Sequence, residues 1–173
     1  MKESKGFIKN IRGSNIDINT NLDLGKLPPQ ALDLEESVLG ALMLEKDALT
    51  NVIDILKPEN FYKDANKEIY QSIIDLFNDS EPIDLLTVTS QLKKNGKLEY
   101  VGGSFYVTQL TTRVNSASNI EYHARIILEQ SIKRQLIEVS GEVQKEAYED
   151  TTDVFDLLDN TEQSLFDISE SLT

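Results

Sequence analysis

The residues able to do chemistry are few in this chain, and their spacing is the first test of what it does. A phosphate-binding loop needs Gly-x-x-x-x-Gly-Lys-Ser/Thr, because the glycines let backbone amides approach the phosphates while the lysine and hydroxyl address phosphate and magnesium. Gly25-Lys26 is followed by Leu27 and preceded five residues earlier by Thr20; Gly96-Lys97 is followed by Leu98 and preceded by Gln91. Both pairs fail, and they read as part of a tail and a helix terminus. The single histidine, His123, has Glu121, Tyr122 and Arg125 as neighbours, which suits a solvated or interface position. With one histidine and no Gly-x-Ser-x-Gly elbow, a hydrolytic triad has little to draw on. Carboxylates are plentiful but fall at helix caps and on polar faces, and no spacing brings two together as an unequal acid pair. There is no cysteine and no metal-ligand spacing, so disulfides, thiolate metal sites and cysteine nucleophiles are excluded. The residues point to a non-catalytic chain.

Charge narrows the partners. The formal net charge is −13, and it is unevenly spread: residues 1–26 hold five Lys/Arg against three acids, residues 27–118 eight against fourteen, and residues 119–173 four against thirteen. A surface this negative repels a phosphate backbone, so direct nucleic-acid binding by this chain is not expected. Lys2, Lys5, Lys9 and Arg12 lack the aromatic interleaving of a single-strand binder and read as solubility. With no charged-then-apolar leader and no long uncharged apolar run, a cytoplasmic protein that neither enters nor spans a membrane is expected.

The elements that must position these residues are helical. Residues 1–26 show neither a period of 2 nor of 3.6 and read as a flexible tail. After Pro28 and Pro29, a first helix over Leu34–Leu44 places Leu34, Val38, Leu39, Leu42 and Met43 on one face. A second short helix is expected over Asp47–Leu56, ended by Pro58, with Phe61 and Tyr62 then dropping into the core. Asp64 is expected to cap a third helix through Asn78 carrying Ile69, Tyr70, Ile73, Ile74 and Phe77 inward, and Asp84 a fourth with Leu85, Val88 and Leu92 running to Gly96. Gly102 and Gly103 mark a stop before a short fifth helix from Ser104, with Phe105, Val107 and Leu110 inward. Ser118-Asn119-Ile120-Glu121 has the spacing of a capping box opening a long helix to about Glu149.

Along that helix Leu128, Ile132, Leu136, Val139 and Val143 form one stripe. Beyond the break at Glu149–Thr152, Val154, Leu158, Thr161, Leu165, Ile168 and Leu172 alternate spacings of four and three, as in a coiled-coil seam. An antiparallel hairpin follows. The expected fold class is therefore all-α: a flexible tail over 1–26, a small globular helical head over 27–117, and a protruding hairpin over 118–173. Two helices alone are marginal in water, and Ile126, Ile127, Ile137, Leu157 and Phe166 lie off the two stripes, so the hairpin is expected to dock on a second copy or on the head.

Four ordered blocks, PPQALDLEESVLGALMLEKDAL, FYKDANKEIYQSIIDLF, EPIDLLTVTSQLKKNGKLEYVGG and SASNIEYHARIILEQSIKRQLI, resemble the amino-terminal domain of the DnaB family of replicative DNA helicases. The resemblance covers roughly Leu27 to Thr173. It departs at Asn66, where the family usually has His, and at Val114-Asn115, where Pro is common. The resemblance implies a helical head and a hairpin that pairs between subunits, six such domains forming a trimer of dimers as a collar above a ring of ATPase motors. It implies primase docking on that collar and a helicase loader acting on the same enzyme. It also implies that ATP and magnesium belong to a RecA-like motor expected beyond Thr173, with no cofactor held by this chain. On this reading Leu128, Ile132, Leu136, Leu158, Leu165 and Ile168 are the candidate pairing residues. The competing reading is a stand-alone acidic helical adaptor or a loader-like regulator.

Overall fold

The structure, a computed structural model, describes residues 26–114 and 119–171. Among these residues it is built from six α-helices and two single turns of 3-10 helix, with no strand. The helices are α1 (Leu32–Leu44), α2 (Asp64–Asn78), α3 (Leu85–Lys94), α4 (Gly103–Thr112), α5 (Ile120–Ala147) and α6 (Val154–Glu170).

α1 is the centre of the core. Its Val38, Leu39, Ala41, Leu42 and Met43 are all buried, which is why its apolar residues crowd together. Gly40 is where α4 crosses it: a Cβ there would collide with the Leu110 carbonyl and the Val114 side chain, so the small residue sets how closely the two backbones approach.

The segment after α1 departs from the sequence expectation. Instead of a helix over Asp47–Leu56, there is a 3-10 turn at Ala48–Asn51 followed by irregular turns. Of the residues whose spacing suggested that helix, Ala48, Val52 and Leu56 are buried and Ile55 is half-buried, so the periodicity reflected burial without a continuous helix. Asp47 starts the segment in the left-handed conformation (φ 66°), and the β-branched pair Val52-Ile53 favours continued helix poorly. A second turn at Pro58–Asn60 delivers Phe61, which packs on Tyr70 of α2 with ring centroids 4.8 Å apart, while Tyr70 donates its hydroxyl to the Leu56 carbonyl at 3.0 Å.

α2 spans the expected residues, but Asp64 is its first helical residue and not its cap, and Phe77 is exposed while Leu76 turns inward. Asp84 does cap α3: its carboxylate accepts the Leu86 and Thr87 amides at 2.8 and 2.9 Å, and the Thr87 hydroxyl accepts the Asp84 amide at 2.9 Å. Gly102 and Gly103 take φ of 106° and 71° ahead of α4, a turn that side chains with a Cβ rarely enter. Phe105 points out from α4, leaving Val107 and Leu110 as its buried residues. The expected capping box at Ser118 lies outside the described residues.

α5 serves two partners in succession. Ile120, Ala124, Ile127 and Ser131 in its first half are buried against the α1 side of the core, and its second half packs on α6. The Asp153 carboxylate accepts the Phe155 and Asp156 amides at 2.8 and 3.3 Å and starts α6.

Candidate functional site

Two places in this fold gather chemically distinctive side chains: a buried polar network in the core and the outer face of the hairpin.

The network was not legible from spacing. Glu35 of α1 is fully buried, and its carboxylate accepts the Tyr62 amide at 2.6 Å, the Lys63 amide at 3.4 Å and the Asn66 side-chain amide at 2.8 Å. Asn66, also fully buried, accepts the Tyr106 hydroxyl at 2.7 Å. Next along α1, Glu36 pairs with Arg113 at the end of α4. Lys63 lies 3.9 Å from the centroid of the Tyr106 ring. On the other side Arg134 of α5 donates to the Pro29 and Asn60 carbonyls, each at 2.7 Å, and Asn60 donates to Ser131 at 3.2 Å.

Burial pushes the Glu35 carboxyl above its ordinary range, against the opposing pull of the Asn66, Tyr62 and Lys63 hydrogen bonds and the Arg134 charge. Burial likewise lowers the affinity of Arg134 for its proton, while the Glu35 charge opposes that shift. A raised carboxyl can mark an acid-base site. Here its carboxylate is engaged by the chain's own donors, so it ties α1 to the start of α2 directly and to α4 through Asn66 and Tyr106. Among the described residues no group of three or more His, Cys, Asp or Glu is placed to hold a metal ion. His123 sits half-buried on α5 beside the Tyr122 ring.

The hairpin carries the candidate interaction surface. Val139 and Val143 of α5 and Leu157, Thr161 and Ser164 of α6 line the cleft between the two helices, and Ile168 is buried at its far end. The seam of α6 therefore runs Leu157, Thr161, Ser164, Ile168, not through Leu158 and Leu165 as the sequence repeat suggested. Both spacings alternate four and three, so periodicity fits either. The small Thr161 and Ser164 satisfy their hydroxyls on the Leu157 and Asn160 carbonyls at 2.6 and 2.9 Å and let α5 lie against them.

Of the six residues expected to pair, Leu128 packs against the core, Ile132 is half-buried and Ile168 is buried within the chain. Leu136, Leu158 and Leu165 are exposed. At 100° per residue, Leu136 lies one step beyond the α6-facing row of α5, and Leu158 and Leu165 lie one step beyond the α5-facing row of α6. In an antiparallel pair those steps turn to the same flank. Val154 extends that flank, and Phe155 and Phe166 continue it around α6, all exposed. A contiguous exposed apolar stripe makes this flank a candidate interaction surface.

A family model described as the DnaB-like helicase N-terminal domain matches residues 27–129. The chain belongs to the DnaB-like helicase N-terminal domain family. Replicative DNA helicase DnaB of Rhodothermus marinus is 44% identical over 146 residues, which is 84% of this chain and 15% of that protein. The crystal structure of the N-terminal domain of DnaB helicase from Mycobacterium tuberculosis superposes with a TM-score of 0.77 at 36% identity, covering 82% of this chain and 99% of that one. A structure of a DnaB-like replicative helicase and its interactions with primase matches with a TM-score of 0.66 at 22% identity, covering 80% of this chain and 30% of that chain, and supports the fold alone. The chain thus spans a small part of a full DnaB helicase and nearly all of a DnaB amino-terminal domain. Among its described residues no helix is long and apolar enough to cross a membrane.

Proposed function

We propose that this chain is the non-catalytic assembly and docking domain of a replicative DNA helicase, pairing with a second copy through its hairpin and offering the paired surface to primase. The observation that carries the reading is the exposed apolar flank of Leu136, Val154, Leu158 and Leu165 on a hairpin whose two helices already pack on each other along a different row. Burying that flank against the same flank of another chain covers apolar area that water otherwise solvates. Family membership supports the helicase context, and a solved structure of similar fold is that of a DnaB-like replicative helicase and its interactions with primase. Unwinding, with ATP and magnesium, is assigned to a motor separate from these residues, whose contribution is geometric: they hold subunits in register and present a platform.

Two measurements test the reading. Sedimentation of the chain at micromolar concentration should show a dimer, and a strict monomer would overturn pairing through this flank. Titration with the carboxy-terminal domain of the cognate primase, against both this chain and the full-length hexamer, should give saturable binding. Absence of binding to both removes the docking role.

A further inference from the structure

A groove of about 500 Å³ opens in the head where the end of α1 meets the segment between α2 and α3. Its floor includes the buried Leu42 and Leu49, and the exposed Leu44 and Phe77 line it. It shares no residue with the exposed flank of the hairpin, so it is a separate surface. Four exposed carboxylates border it: Glu45 and Asp47 follow α1, and Glu81 and Asp84 precede α3. Lys46 is the one cation in the lining. Among the described residues no ion pair reaches any of the four acids.

An apolar floor with uncompensated negative charge at its border favours an occupant that has an apolar face and flanking cations. Nucleic acid and anionic lipid surfaces carry the same sign as the groove and are repelled. Addition of a strand needs a free sheet edge, and the described residues form no strand. A proline-rich segment docks between aromatic rings, and Phe77 is the one ring in the lining. An amphipathic helix needs what the groove has, an apolar floor with charges beside it. We infer that the groove docks a basic amphipathic helix of a partner protein, with its apolar residues against Leu44 and Phe77 and its cations facing Glu45, Asp47 and Glu81.

Residues three and four apart bring two or three apolar side chains to one face of such a helix. Lysines or arginines beside that face extend past it to the carboxylates. The chain as a whole is acidic, with a net charge of −13, so charge alone would draw a basic helix to many places. The apolar floor is what singles out this groove, and the test must separate the two contributions.

The probe is a synthetic helix of about 15 residues, rich in lysine and alanine, with Leu, Phe and Leu at positions i, i+4 and i+7. Titrated into the isotope-labelled full chain, it should shift the amide signals of Leu44, Glu45, Phe77 and Glu81 saturably. A matched peptide with alanine at the three apolar positions should bind about tenfold more weakly or worse, the loss expected when even one side chain fails to bury. Leu44→Gln, and Glu45→Lys combined with Glu81→Lys, alter exposed side chains, so circular dichroism should show the fold intact while each weakens binding about tenfold. No saturable shift, shifts centred on α5 and α6, equal binding of the alanine peptide, or unchanged affinity in either variant would each overturn the proposal. A response of the same signals to phosphatidylglycerol vesicles and not to the peptide would give the groove to a lipid surface and overturn it as well.

Discussion

Replacing both Leu158 and Leu165 with Glu separates two accounts of the hairpin. If these leucines formed the α5–α6 seam, each substitution would bury an unpaired carboxylate, at a cost of several kcal/mol, and the hairpin would open. The structure leaves them 55% and 45% exposed, so the single chain should tolerate both changes with unchanged helicity and melting temperature. Pairing between chains should not. Full burial of a leucine side chain is worth about 1.5–3 kcal/mol. With roughly half of each still open to bury, each contributes about 1 kcal/mol at an interface. Two residues on each of two subunits make about 4 kcal/mol, or nearly a thousandfold in the dimer dissociation constant. That figure is a floor, because the new carboxylates also face one another across an already acidic surface. Sedimentation equilibrium gives the dissociation constant, and circular dichroism on the same samples reports the fold. A variant that dimerises as tightly as the parent would refute pairing through this flank. One that loses helicity would refute the seam through Leu157, Thr161, Ser164 and Ile168.

Three further outcomes follow from the core and the long helix. Gly40→Ala should destabilise the fold by about 1–3 kcal/mol, since its methyl meets a backbone carbonyl that cannot rotate away; urea denaturation measures the loss, and a neutral result would mean α1 and α4 can separate freely. Gly141→Ala, where nothing lies within 4 Å of the added carbon, should stabilise α5 by up to about 1 kcal/mol, read from the same urea curves. Glu35→Gln should change the pH dependence of stability. The folded carboxyl holds its proton more tightly than the unfolded one, whose value is near 4.5, so the stability this group confers is fully present below that value and falls as pH rises through the folded value. The advantage of the parent over the variant should therefore shrink between acid and neutral pH, and an unchanging difference would refute the burial effect.

Much of this fold was legible because its signals are local. α2 and α3 follow from apolar residues three and four apart, and Asp84 lies at the spacing a cap requires. The Asp47–Leu56 segment misled because inward residues at helical spacing record burial, and a run of tight turns can bury the same positions. The α6 register misled for a related reason: two rows offset by one residue share Thr161 and Ile168, and only contact with α5 decides between them. The polar network had no local signal at all, since Glu35 meets Tyr62 across 27 residues and Glu36 meets Arg113 across 77. A single hint was available, in two adjacent acids, Glu35 and Glu36, close to the apolar run from Val38 to Leu44 of the same helix.

α5 runs unbroken for 28 residues, about 42 Å, with its first half set in the core and its second half forming one arm of the hairpin. It is therefore a lever whose short arm is clamped by Ile120, Ala124 and Ile127. A partner that tilts the hairpin tip acts with a long moment on that clamp, and the motion must either rotate the whole head or bend the arm between them. Gly141 is the softest position along the free arm. Filling it should change how far a load at the tip is felt by Glu35, Arg134 and the residues bound to them.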